Sequence, residues 1–225
     1  MALGPEHTGH PAPFITLEGG EGTGKSTQQR MLARRLTALG LTVLATREPG
    51  ATAMGANIRR LVSQEGGQEP TAQAELLLYL ADRAQHVAQV IRPALLEGKV
   101  VVSDRFLDSS EVYQGRARGL GAAWVRRLNQ WVCGGIWPDL TLVLDLDPAL
   151  GLARVKKRQG GLGLDRLENQ DLAFHQAVRQ GFLEQAKAEP ERIKVLAADR
   201  PPDEVADEVW SLVEPLARKW KDHAA

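Results

Sequence analysis

The chain has 225 residues, 43% hydrophobic and 25% charged, with 28 Lys and Arg against 28 Asp and Glu and one cysteine. This composition belongs to a globular chain that buries a sizeable core, and it excludes disordered, fibrous and disulfide-built classes. Zero net charge argues against nucleic acid or an anionic membrane as a partner, and the lone Cys133 suits a reducing, cytoplasmic setting.

The first thirteen residues, MALGPEHTGHPAP, lack the basic start and apolar stretch of a signal peptide, and no run approaches the roughly 18 apolar residues of a membrane span. They read as a flexible tail, 1–13, ahead of a single domain, 14–225. FITLE predicts a strand ending in glycines, and KSTQQRMLARRLTAL a helix that Gly40 stops. LTVLAT predicts a second strand, followed by REPG, a short helix in MGANIRRLV and a loop rich in Gly, Gln and Glu. AELLLYLADRAQHVAQVIRPALLEG predicts one long helix with a kink at Pro93. VVVSD is the third strand. Polar, glycine-containing RFLDSSEVYQGRARGLG is expected to be a loop with a helical start, and AAWVRRLNQWVCGG a helix.

DLTLVLDLD is the fourth strand, and ALGLARVKKR predicts a helix that fails at QGGLGLDR, where the glycines make a mobile flap. QDLAFHQAVRQGFLEQAKAE, IKVLAA and DEVADEVWSLVEPLARKW add a helix, a fifth strand and a closing helix. Short apolar runs alternating with amphipathic stretches place the chain in the α/β class, with βα units around a parallel sheet.

Gly19–Ser26 spells GGEGTGKS, the G-x-x-x-x-G-K-[ST] pattern, between a predicted strand and a predicted helix. Such a loop brings several backbone N–H groups and a helix N-terminus to one polyphosphate. Lys25 then reaches the β and γ phosphates of a nucleotide, and Ser26 offers a hydroxyl to Mg²⁺. VVVSD delivers Asp104 at a strand end, where it reads equally as an acid on the Mg²⁺ side or as a cap for the next segment. Arg105 comes directly after it, at the sheet edge where α/β ligands bind and a second phosphate can dock. Arg154, Lys156, Lys157, Arg158 and Arg166 gather around the flap. They complement a helix C-terminus or supply movable cations for phosphoryl transfer, and Arg154 and Arg158 lie one turn apart on one face. A phosphate acceptor needs no general base, because a phosphomonoester with its second pKa near 6 is already an anionic nucleophile. His86 reads as a structural histidine on its helix.

Taken together, FITLEGGEGTGKST, TREPG, LADRAQH, SDRFLDSSEVYQG, PDLTLVLDLDP and DRLE, in that order and spacing, resemble the bacterial thymidylate kinases, which move the γ-phosphoryl of ATP to dTMP. The resemblance runs from Phe14 to the last helix. It implies a P-loop NTPase-like three-layer sandwich with a five-stranded parallel sheet surrounded by helices, a need for Mg²⁺, and a homodimer. It also implies that Gly19, Gly20, Glu21, Gly22, Thr23, Gly24, Lys25, Ser26 and Thr27 hold the ATP phosphates, with Ser26 and Asp104 on the metal side. By the same resemblance Tyr79 stacks on thymine, Arg83 donates to its O4, and Ser110 and Gln114 address the base. Arg59 and Arg105 ligate the acceptor phosphate. Glu48 lies near the acceptor, Glu21 and Tyr113 lie by its sugar, and Asp165 is a lid carboxylate. Some members carry a catalytic Arg in the P-loop where this chain has Gly22. The cation is therefore expected from a lid at about 154–168, with Arg158 ahead of Arg154. Adenine is expected near 197–199. Rival readings are a deoxynucleoside kinase, which would need a base for its hydroxyl acceptor, and a nucleotide-controlled switch.

Overall fold

The computed structural model describes residues 10–63, 69–160 and 165–224. β1 (Phe14–Glu18), β2 (Val43–Arg47), β3 (Val100–Asp104), β4 (Leu140–Asp145) and β5 (Ile193–Ala197) form one sheet in the order β2-β3-β1-β4-β5, with every pairing parallel. Helices on both faces explain why β1 and the first four residues of β3 are buried throughout rather than alternating. Strand periodicity then divides the core in two. Ile15, Leu17, Val100 and Val102 pack on α1 (Lys25–Ala38) and α9 (Pro202–Ala224). Phe14 and Val101 pack on the opposite side with Ile91, Leu95, Phe106 and Cys133.

The predicted long helix runs as α3 (Ala72–His86), a π-helical turn over Val87–Ile91, and α4 (Arg92–Leu96), with Pro93, which has no N–H to donate, directly after the π-helical turn. The stretch after β3 expected as a loop with a helical start is helical well beyond that start: α5 (Leu107–Ser110) continues as a π-helix over Glu111–Ala117, and only its last residues are turn and loop. Its polar side chains are buried in hydrogen bonds rather than exposed, which hid the helix. α2 (Ala53–Ser63), α6 (Ala122–Cys133), α7 (Pro148–Gln159) and α8 (Leu172–Ala188) match the expected pattern. Among the described residues, no helix is long and apolar enough to cross a membrane.

Residues 10–13, expected as the end of a flexible tail, are fixed to the sheet. His10 bonds the Trp137 carbonyl at 2.9 Å, Ala12 is buried, and the Pro13 carbonyl accepts from Val101 N at 2.9 Å. The rest of that tail, the loop core at 64–68 and the flap residues 161–164 lie outside the described residues.

Candidate active site

Parallel pairing puts the C-terminal ends of β1, β2 and β3 side by side. The segments that leave them, Gly19–Gly24, Glu48–Gly50 and Arg105–Phe106, therefore meet at one edge, over a cleft of about 240 Å³. α1 begins at Gly24, whose left-handed φ of 94° suits glycine, and no side chain caps that end, so its first-turn amides remain for an anion. Lys25 lies back on the loop, donating to the Gly20 carbonyl at 2.6 Å and the Gly19 carbonyl at 3.1 Å. Burial, then the nearby Arg105, pull its ammonium down to about 8. Ser26 Oγ donates to Asp104 Oδ2 at 2.5 Å.

Gly22, with φ 69°, lies against α7 so closely that a Cβ there would overlap the backbone of Gly151. A side chain at this place in the loop has no room.

Arg105 has a φ of 69°, the only non-glycine positive φ among the described residues, a conformation that costs an ordinary residue about 1–2 kcal/mol. The turn sends its guanidinium across the loop mouth, to Gly19 O and Ser109 Oγ at 3.1 Å and Glu21 Oε1 at 2.7 Å, with Tyr113 stacked 4.9 Å away. Tyr113 also donates to Glu21 at 2.8 Å. Burial alone would raise Glu21, but Arg105 and Lys25 outweigh it and hold the carboxyl at about 2. The opposite balance holds at Glu18, where burial and then Asp108 push the carboxyl up to about 7 against the pull of Arg105.

The deeper wall is built around Arg83, which is 1% exposed. Its Nε and one terminal nitrogen hold Glu48 Oε2 at 2.9 and 2.8 Å, and the remaining donors reach Ser110 Oγ, Asn129 Oδ1 and the Phe106 carbonyl at 2.7–3.0 Å. Four of its five N–H donors therefore make hydrogen bonds within the protein, and one terminal nitrogen adds an ionic contact to Glu48. His86 fills a structural place, between Glu48 at 3.0 Å and Thr46 at 2.7 Å. Arg83→Ala is expected to leave buried Glu48 with His86 as its remaining partner and to lower stability by about 3 kcal/mol, read as a fall of roughly 10 °C in Tm. An unchanged Tm would show that the network is dispensable.

Of the residues picked from sequence, Glu21–Thr27, Glu48, Arg59, Tyr79, Arg83, Asp104, Arg105, Ser110, Tyr113, Gln114, Arg158 and Asp165 all line the cleft. Gly19 and Gly20 lie behind the loop, on a second, much smaller cavity. Arg154 is apart as well: it is exposed and donates to the Ala198 carbonyl at 3.0 Å, beside the turn expected to receive adenine. Arg166, one of the flap cations, is buried, bonding Glu75 and the Val62 carbonyl. Gln114 donates to Glu75 Oε1 at 2.7 Å. Arg47, Pro49, Phe106, Ser109 and Glu168 also line the cleft and were not picked. Ser109 carried no spacing signal, because Arg105 stands in a left-handed turn before α5 begins at Leu107.

A family model described as thymidylate kinase matches residues 17–209. A thymidylate kinase of Synechococcus sp. is 54% identical over 202 residues, covering 90% of this chain and 94% of its own length. One from Deinococcus radiodurans is 51% identical over 201 residues, covering 89% and 95%. The crystal structure of thymidylate kinase from Ehrlichia chaffeensis superposes with a TM-score of 0.72 at 31% identity, covering 90% of this chain and 98% of that one.

Proposed function

Because the chain belongs to the thymidylate kinase family, transferring the γ-phosphoryl group of ATP to dTMP to give dTDP and ADP for dTTP synthesis, we propose that its cleft divides into donor and acceptor halves meeting at Lys25 and Arg105. The observation that carries this is the convergence of the phosphate loop with Arg59, Arg105 and Tyr79 on a single cleft. Glu21–Thr27 wrap the ATP phosphates, and Lys25 exchanges its loop carbonyls for phosphate oxygens. Arg59 and Arg105 hold the dTMP phosphate, whose own oxygen attacks without a base. Tyr79 stacks on thymine, and Glu21 and Tyr113 border the sugar. Gln114 commits its amide nitrogen to Glu75, which leaves its carbonyl oxygen for the ring N3–H. Arg83 and Ser110 complete the base edge, Arg83 by sharing a donor it already uses. Glu48 serves the acceptor by fixing Arg83, and Asp165 borders it from the flap side.

Ser26 and Asp104 form a hard-oxygen pair that suits Mg²⁺, and the described residues contain no group of three or more His, Cys, Asp or Glu that forms a protein cage. That donor set matches an ion completed by substrate phosphates and water. Held by Ser26 and Asp104, Mg²⁺ would supply charge neutralisation to the transferring phosphoryl group.

We assign residues 14–225 to one P-loop domain in which 154–168 carries the lid, and with it Arg158, to the donor. We also assign the enzyme to the cytoplasm, in keeping with its single buried cysteine. Leu77 on α3 and Trp124 and Trp131 on α6 are large exposed apolar side chains on helices that pack together, and a homodimer would cover them. Sedimentation at micromolar concentration checks the dimer.

The test of the acceptor half is ADP production from ATP and Mg²⁺ across dTMP, dUMP, dCMP, dGMP, UMP and thymidine. Strong stimulation by dTMP, weaker by dUMP and none by thymidine is expected. Equal stimulation by several monophosphates would void the base contacts.

A further inference from the structure

Glu18 ends β1 with no exposed surface and does not line the cleft, yet its two oxygens are both engaged around Arg105. Oε1 accepts from the backbone N–H of Phe106 at 2.7 Å, the peptide immediately after Arg105. Oε2 accepts from Ser109 Oγ at 2.6 Å, the same hydroxyl that receives the Arg105 guanidinium at 3.1 Å. A serine hydroxyl has one proton, so giving it to Glu18 turns its lone pairs toward Arg105. The left-handed turn is held from its other sides by Leu17 O, which accepts from Arg105 N at 3.0 Å, and by Ser103 Oγ, which donates to the Arg105 carbonyl at 2.7 Å.

We propose that Glu18 is a positioning residue for acceptor binding: its carboxylate fixes the backbone exit of the Arg105 turn and, through Ser109, the direction of the guanidinium offered to the dTMP phosphate. This rests on the reading of Arg105 as a ligand of that phosphate. The task demands two acceptors at once. A carboxamide of the same size supplies only one. In Glu18→Gln the amide nitrogen must either face the Phe106 N–H, donor against donor, or donate to Ser109 and turn its hydroxyl proton away from Glu18's place, toward the arginine.

The experiment measures kcat and the KM for dTMP and for ATP in Glu18→Gln, Ser109→Ala, Arg105→Ala and the two double variants that combine the first two with Arg105→Ala. Glu18→Gln is expected to raise the KM for dTMP about tenfold, the worth of one good hydrogen bond, with the KM for ATP within about twofold. In the Arg105→Ala background it should add almost nothing, since its effect passes through that side chain. Full multiplication of the two losses, or equal rises in both KM values, would overturn the relay while leaving Arg105 as the phosphate ligand. If Arg105→Ala itself leaves the KM for dTMP unchanged, the phosphate reading fails and the relay with it. Should Glu18→Gln not fold, Ser109→Ala removes the side-chain leg alone and faces the same criteria.

Discussion

Lys25→Ala is expected to lower kcat about 10³-fold while the protein still melts within a few degrees of the parent. The separation of the two effects comes from what Lys25 touches. Among the described residues its ammonium bonds only loop carbonyls and the Thr23 hydroxyl, on the cleft lining, and the side chain takes no part in either face of the core. Removing it uncovers carbonyls that water can reach from the cleft, so little folding energy is lost. What is lost is a fixed positive charge in a partly enclosed site, where charge spreads over the transferring phosphoryl oxygens and each preorganised donor is worth several kcal/mol. Burial first, and Arg105 second, pull the ammonium toward about 8, a cost that binding a polyanion relieves. Steady-state kcat and a thermal melt decide the matter. Near-normal turnover would remove Lys25 from the mechanism, and loss of the melting transition would make it a folding residue.

The phosphate loop was legible because its chemistry is local: a strand, GGEGTGKS and a helix succeed one another in the chain and meet no other element before they make sense. The α/β class was legible for the same reason, since strands such as FITLE and VVVSD are apolar on both faces. The segment after β3 was not. Asp108, Ser109, Ser110, Glu111 and Gln114 are all buried, but their partners are Arg192, Glu18, Arg83, Gln185 and Glu75, drawn from distant parts of the chain. Polar residues in a row read as a solvated loop unless those partners are known. Arg83 illustrates the same limit in the site itself. It stands one turn after Tyr79 on α3, and both line the cleft. No spacing rule announces that Glu48, Ser110, Asn129 and Phe106 already take its donors.

Arg158→Ala is expected to cut kcat about 10³-fold with the KM values for ATP and dTMP within a few-fold, whereas Arg154→Ala should leave kcat nearly intact. Phosphoryl transfer needs a cation near the γ-phosphate beyond Lys25, and the phosphate loop has no place for one. At Gly22 even a Cβ would overlap the Gly151 backbone, so that charge must come from elsewhere. α7 presents two arginines one turn apart, and their surroundings separate them. Arg154 is turned to the Ala198 carbonyl, on the far side of the loop. Arg158 lines the cleft with Lys25, its side chain 68% exposed, and among the described residues it makes one loose ionic contact, Glu168 at 3.6 Å. A weakly held, solvated guanidinium at the cleft mouth moves onto a phosphate at little cost, and a long, exposed ion pair contributes little to stability, so the fold should not notice its loss. Arg158→Lys should recover only part of the rate, because a point charge replaces a planar fork that spans two phosphate oxygens. Single-turnover rates with saturating ATP and dTMP separate chemistry from product release. A 10³-fold loss in Arg154→Ala with Arg158→Ala near normal would exchange the two assignments, and no loss in either would mean that the donor half works with the loop lysine and its metal alone.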